Sequence, residues 1–169
     1  MSSKGVLAFL CAIALAAAAG AQTKSSGTIQ CGKPDPQHAI EVGDKPGHMM
    51  GIGKSTCTWS PSMEIAGSKT KDGYSISFDE MTGNKYSGHG VHVSTMDNGD
   101  KIYVKFQGSG TLKDGALQTD AGKWSYAGGT GKLKGIKGKG TYKGKGNADG
   151  SMTYEIEGDY QLPASGKGL

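Results

Sequence analysis

Apolar and polar residues alternate along most of this chain, and turn signals interrupt the alternation roughly every 8–12 residues, as in an all-β sandwich or barrel. The alternating segments lie near residues 38–43, 48–66, 72–82, 85–96, 101–112, 116–127, 132–145 and 151–162. These segments predict a small, closed, antiparallel β-barrel of about eight strands in meander order, because closure removes exposed strand edges.

Three turn signals allow neighbouring strands to be aligned. Asn98-Gly99 and Gly83-Asn84 predict two-residue hairpin loops, and Lys113-Asp114-Gly115 predicts a three-residue loop. The first loop would place Val93 opposite Val104. All three alignments put one apolar set on a single face, which is predicted to point inward. This set is Tyr74, Ile76, Phe78, Val91, Val93, Ile102, Val104, Phe106, Trp124 and Tyr126.

Polar side chains fall on the same predicted inward face near one end of the barrel. They come with two glycines that leave room between them, and an apolar wall with a few convergent polar groups is how ligand pockets are built. The candidate ligand-binding residues are Glu80, Ser87, His89, Gly108, Gly110, Gln118 and Asp120. A buried carboxyl here would have a raised pKa and could exchange protons with His89. The alternative is that these side chains cap the barrel mouth and meet water.

The last hairpin carries a lysine-rich strand. Lys137, Lys139, Lys143 and Lys145 share one face, and the following strand directs its acids to the same side. An even register would pair Lys139 with Glu157 and Lys137 with Asp159. Clustered lysines attract polyanions, but no aromatic residues are interleaved on this face to stack nucleic-acid bases. A solvated outer face is the alternative to a polyanion site.

The N-terminus predicts export. Residues 1–21 combine a lysine, an apolar run and a small-residue cleavage site, as a secretory signal peptide does. We expect residues 22–36 to be a polar tether, 37–162 the barrel and 163–169 a flexible tail. Cleavage leaves Cys31 and Cys57, which should pair as a disulfide in the oxidising periplasm or external medium.

One segment has a family resemblance. The stretch Tyr126-Ala-Gly-Gly-Thr-Gly-Lys-Leu-Lys-Gly-Ile-Lys-Gly-Lys-Gly-Thr-Tyr142 resembles the glycine-rich segment of allene oxide cyclase-like and dirigent-like barrels, and Glu155–Tyr160 is similar to the closing strand of bacterial secreted members. The resemblance implies an eight-stranded barrel with an internal cavity. The matching residues are mostly glycines, so it assigns no catalytic residue.

Three functions follow from these patterns. The first is a non-catalytic exported barrel that binds a small, partly apolar ligand or is structural. The second is a cyclase- or isomerase-like enzyme in which Glu80, His89 or Asp120 directs a reactive substrate. The third is polyanion or cell-envelope binding through the lysine-rich strand. The sequence indicates no cofactor, no metal, no nucleic-acid partner and no membrane span after signal cleavage, and it does not define an oligomer.

Overall fold

In the computed structural model, which describes residues 22–163, the chain forms one antiparallel sheet of ten strands. The strands are β1 Thr23–Cys31, β2 Gln37–Glu41, β3 His48–Trp59, β4 Glu64–Ile65, β5 Ser68–Thr82, β6 Lys85–Met96, β7 Lys101–Lys113, β8 Ala116–Gly129, β9 Lys137–Gly146 and β10 Met152–Gln161. A short 3₁₀ helix, Gly131–Leu133, lies between β8 and β9. The predicted signal peptide and all but the first residue of the predicted tail lie outside the described residues.

The sheet closes on itself through eight of its strands, which confirms the predicted barrel. Strands β5 to β10 pair in chain order as a meander. Strand β10 then pairs with β1, β1 with β3, and β3 with β5, which completes the ring. Strand β2 lies outside the ring and extends the edge of β3 beyond β1.

Residues 22–36 are not a tether, because most of them form strand β1. Alternate residues of β1 are buried, including Ser25, Ile29 and Cys31. The strand pairs with β10 over nine residues, from Thr23–Tyr160 to Cys31–Met152. The serine and glycine content of this segment is typical of a linker. It forms a strand because it lies between β3 and β10 and pairs with both.

The predicted inward face is correct for β7 and β8 and wrong for β5 and β6. Ile102, Val104, Phe106, Trp124 and Tyr126 point into the barrel. On β5 and β6, however, the alternate residues line the interior, so the apolar set there points outward. The outward set is Tyr74, Ile76, Phe78, Val91 and Val93.

The cause is the length of the β6–β7 hairpin loop. The N–H of Met96 donates to the carbonyl of Asp100 at 2.8 Å, so the loop contains three residues, Asp97 to Gly99. Gly99 takes a left-handed φ of 85°, as the last residue of such a loop does. Because the loop has one more residue than expected, His92 lies opposite Val104, where Val93 was expected. A slip of one residue turns a strand over.

The other two loops keep the predicted faces. Gly83-Asn84 is a two-residue loop with Thr82 opposite Lys85, as predicted. The β7–β8 loop has two residues, Asp114 and Gly115, both with left-handed φ, where three were expected. A bulge between Thr111 and Leu112 makes the total shift two residues, which restores the original face.

An apolar core closes one end of the barrel. The β3–β5 connection and the β8–β9 connection both fold across this end and bury their apolar residues against the strand ends. Six side chains, each at most 4 % exposed, form the plug: Met63, Ile65, Met96, Ile102, Leu133 and Ile136. The interior therefore has a floor, and access comes from the opposite end.

The predicted disulfide is present between Cys31 and Cys57, which face each other across β1 and β3. These two strands share only three residue pairs, Ile29–Trp59, Gln30–Thr58 and Cys31–Cys57. Within residues 22–163, no helix has the length and apolarity needed to cross a membrane.

Candidate functional site

The interior of the barrel is a cavity of about 620 Å³. It extends from the apolar plug to the end where the β7–β8 and β9–β10 hairpins turn, and exposed residues of both turns, Gly115 and Asp149 among them, line it. The segment after β1, with Gly32 and Lys33, lines the same end. The cavity is therefore open to solvent at this mouth.

Glycines on the inner wall let aromatic rings lie flat against it. A Cβ atom at Gly140 or Gly158 would overlap the indole of Trp124, which crosses both strands. That indole N–H donates to the carbonyls of Thr141 and Glu157 at 3.2 Å each. The rings of Tyr86, Tyr126, Tyr142 and Tyr154 likewise occupy the space in front of wall glycines. Rings held against the wall leave the lumen free.

Two carboxylates lie in this wall near the mouth. The first is Asp79 on β5, which is 8 % exposed. The hydroxyl of Tyr86 donates to its Oδ1 at 2.8 Å, and Ser77 donates to its Oδ2 at 3.0 Å. Burial and the charge of Asp79 raise the pKa of the Tyr86 phenol, so this phenol stays protonated and remains a donor.

The second carboxylate is Asp120 on β8, which is 4 % exposed. The hydroxyl of Tyr142 donates to its Oδ1 at 3.3 Å. Burial raises the pKa of Asp120 to about 6; the hydrogen bond from Tyr142 opposes this shift, and the charge of Asp79 adds to it. Asp120 is thus a carboxyl that can gain or lose a proton near neutral pH, inside a cavity.

A third polar group lies deeper in the cavity, around His92. Its ring nitrogens lie 2.9 Å from Ser75 Oγ and 2.8 Å from Ser94 Oγ, and Trp59 Nε1 donates to Ser94 Oγ at 3.0 Å. Burial lowers the pKa of His92 to about 4, so the imidazole is neutral at physiological pH. Both ring nitrogens are taken by serine hydroxyls, so this group adds a polar but uncharged surface to the cavity.

The structure divides the seven predicted ligand-binding residues between the two sides of the wall. Gly108, Gly110 and Asp120 are on the inner side, as predicted. Glu80, Ser87 and His89 are on the outer side because of the shifted β6–β7 register, and Gln118 is exposed at the β7–β8 bulge. The expected cluster of Glu80, His89 and Asp120 is therefore not formed.

The outer residues make other contacts. His89 stacks on Phe78, with ring centroids 5.5 Å apart. The ring of His48 lies between two carboxylates, with Nε2 2.9 Å from Glu80 Oε1 and Nδ1 2.5 Å from Asp44 Oδ1. None of these side chains reaches the cavity.

The lysine-rich strand points outward, with Lys137, Lys139, Lys143 and Lys145 all exposed. The even register is confirmed, but its partners differ from those predicted by two residues. Lys139 is opposite Asp159, Lys143 is opposite Glu155, and Thr141 rather than a lysine is opposite Glu157. Acids thus flank part of this face.

Sequence reasoning missed Asp79, Tyr86 and His92 as interior residues. A signal was present on β6, where Gly88 and Gly90 share one face with Tyr86 and His92, because all four lie at every second position. The inward glycines of β9 share a face with Tyr142 in the same way. The face that carries the glycines, and not the face that carries the apolar residues, is the inner face of this strand.

The fold and the cavity define a small, closed, antiparallel β-barrel that is open at one end. No protein-family model matches the sequence, and no curated protein matches it. Among solved structures, a pyocyanin demethylase is similar at 20% identity and a TM-score of 0.42, covering 79% of this chain and 98% of that chain. A pterocarpan synthase dirigent protein is similar at 12% identity and a TM-score of 0.46, and the match covers 88% of this chain and 90% of that chain. At these values neither likeness assigns an activity to this chain.

Proposed function

We propose that this protein binds a small, partly apolar molecule inside its barrel. The observation that carries the proposal is the open cavity of about 620 Å³, whose volume lies in the range of ligand sites. Its aromatic walls supply apolar contact, and the carboxylates of Asp79 and Asp120, each with acceptor capacity beyond its hydrogen bonds to tyrosine, supply directional polar contacts. A barrel with a purely structural role would be expected to fill this volume with side chains.

A fluorescent apolar probe tests this proposal directly. N-phenylnaphthylamine should bind to the mature protein at one saturable site, with enhanced emission. Val104→Trp places a large side chain in the lumen and should abolish binding, whereas Lys105→Trp places the same side chain outside and should leave binding unchanged. Absence of saturable binding, or equal effects of the two variants, would overturn the proposal. Native mass spectrometry of protein purified from its own export route would then identify a natural ligand.

Asp120, whose pKa burial raises to about 6, supports a second candidate, a cyclase- or isomerase-like reaction on the bound molecule. Of the three residues expected to direct such a reaction, it alone faces the cavity. An isomerisation leaves the mass of the molecule unchanged, so the co-purified compound should be followed by NMR. Conversion by the wild type and not by Asp120→Asn would favour catalysis, and an unchanged compound would favour simple binding.

Polyanion binding through the lysine-rich strand remains the third candidate. The exposure of Lys137 and Lys139 supports it, and the facing Asp159 weakens it. Salt-sensitive retention on heparin that is lost in Lys137→Ala/Lys139→Ala would favour this function over the cavity.

A further inference from the structure

The charged side chains around the cavity are mostly of one sign. Asp79 and Asp120 lie in its wall, and Asp114 and Asp149 lie at its mouth. Lys33, at the exposed rim, is the one lysine among the residues that line it. His92 adds no positive charge because its pKa is lowered to about 4 by burial.

The outside of the barrel has the opposite character. The chain as a whole has a formal charge of +4, and the exposed face of β9 carries Lys137, Lys139, Lys143 and Lys145. The lining of the cavity is therefore predominantly acidic, whereas the outer face carries these lysines together with acids such as Glu155 and Glu157. An anion attracted to the surface would meet repulsion in the lumen.

The two wall carboxylates lack a cationic partner. Among residues 22–163, no lysine or histidine comes within salt-bridge distance of Asp79 or Asp120. Asp120 receives one side-chain hydrogen bond, from Tyr142 to Oδ1, so its Oδ2 has no side-chain partner in the described chain although the residue is only 4 % exposed. A buried carboxylate that has hydrogen bonds but no cationic partner still costs free energy, and a positively charged ligand would offset that cost.

Aromatic rings surround these carboxylates. The Phe106 and Tyr142 centroids are 6.5 Å apart, and those of Tyr142 and Tyr154 are 5.7 Å apart, with Trp124 and Tyr126 deeper in the cavity. Aromatic faces attract cations as well as apolar groups, and the attraction strengthens where water is excluded. The same rings can therefore contact both the body and the charged end of one molecule.

From this arrangement we infer that the ligand is a small organic cation with an apolar body, bearing a protonated amine or a quaternary nitrogen. Its nitrogen lies near Asp79 and Asp120, and its body lies against Phe106, Trp124 and Tyr126. The inference rests on the proposed function, since it specifies the chemical class of the molecule in the same cavity.

Three probes of nearly equal size test the sign of the preferred charge. N-methylacridinium is a cation, acridine is neutral in mildly alkaline buffer, and acridine carboxylate is an anion. We expect the dissociation constant of the cation to be about tenfold lower than that of acridine, given the usual strength of buried cation–aromatic contacts, and that of the anion to be the highest. Binding is measured by probe fluorescence and by isothermal titration.

Variants locate the origin of this preference. Asp79→Asn/Asp120→Asn should remove the preference for the cation while leaving the affinity for acridine nearly unchanged. Glu155→Gln/Glu157→Gln makes the same change in net charge on the outer face of β10 and should preserve the preference.

The outcomes separate the two proposals. Equal affinity for acridine and N-methylacridinium would overturn the inference and leave the binding function intact, as would a preference that survives in Asp79→Asn/Asp120→Asn. If neither these probes nor N-phenylnaphthylamine binds, the proposed function and the inference both fail.

Discussion

Asp120 and His92 lie in the wall of one cavity, and burial disfavours the charged form of each. Their effects on stability therefore have opposite signs as the pH falls. The pKa of Asp120 is raised from 3.8 to about 6, so the folded state binds its proton more tightly, and this contribution to stability grows as the pH falls through that window. The pKa of His92 is lowered from 6.5 to about 4, so its contribution is present above 6.5 and is lost as the pH falls through its own window.

Replacing Asp120 with asparagine should expose the effect of His92. The two pH dependences largely cancel in the wild type, whereas the free energy of unfolding of Asp120→Asn should fall by up to about 3 kcal/mol between roughly pH 6.5 and pH 4. Near pH 7 the variant should be more stable than the wild type, because it no longer buries a carboxylate. Urea unfolding across this range measures both effects. Asp114→Asn, at an exposed turn position, is the control; an Asp120→Asn curve parallel to the wild-type curve would contradict the raised pKa.

At the level of the strand, glycine is what allows an aromatic wall around an open lumen. Gly140 on β9 lies directly opposite Gly158 on β10, and the indole of Trp124 lies over both. An alanine at either position would push the indole into the space that the cavity occupies. The glycine-rich composition is thus tied to the cavity volume and not only to the curvature of the sheet.

Gly158→Ala should therefore destabilise the barrel by about 1–3 kcal/mol, the usual cost of overpacking. Its Cβ would meet the Trp124 ring and the carbonyl of Lys139. Gly32→Ala is the matched control, since the nearest atom to its Cβ would be the Thr56 carbonyl oxygen at 3.7 Å, an ordinary contact. Thermal unfolding together with Trp124 fluorescence measures the effect. Similar melting temperatures for the two variants would show that the indole can move aside without cost.

The strands were more predictable than the faces they present. The predicted segments 85–96, 101–112 and 116–127 match β6, β7 and β8 almost to the residue, because alternation and turn residues determine extent. Which side chains of β6 point inward depends on whether Asp97 belongs to the loop or to the strand. The dipeptide Asn98-Gly99 is compatible with a loop of either length. The inward direction of Gly108 and Gly110 was predicted correctly because they share the face of β7 that carries Val104 and Phe106. That of Asp120 was predicted correctly because a shift of two residues leaves each side chain of β8 on its original face. Asp79 and Tyr86 were missed because apolar residues were assumed to point inward.

At the scale of the whole molecule, the ring is closed by ladders of very unequal length. Strand β1 shares nine residue pairs with β10 but only three with β3, whereas β3 shares eleven with β5. The β1–β3 ladder is therefore the point where backbone hydrogen bonds contribute least to closure. The disulfide joins one of those three pairs, so a covalent bond reinforces the shortest seam of the barrel.

Reduction of the Cys31–Cys57 disulfide should open the barrel at this seam before the rest of the sheet unfolds. The bond closes a loop with a sequence separation of 26 residues, and its loss should lower the free energy of unfolding by about 3 kcal/mol in the chain-entropy account. Hydrogen exchange of the oxidised and reduced wild type, which share one sequence, measures where this loss appears. Exchange should accelerate first at Ile29–Cys31 and Cys57–Trp59, because this ladder of three residue pairs is the shortest of the ring. Among the described residues, only the backbone bonds from Gly32 N–H to the Thr56 carbonyl and from Ser60 N–H to the Thr28 carbonyl flank it. An equal acceleration in β6, β7 and β8 would show instead that the barrel unfolds as one cooperative unit. Because Ile29, Cys31 and Trp59 also line the cavity, opening of the seam should weaken N-phenylnaphthylamine binding in the reduced protein.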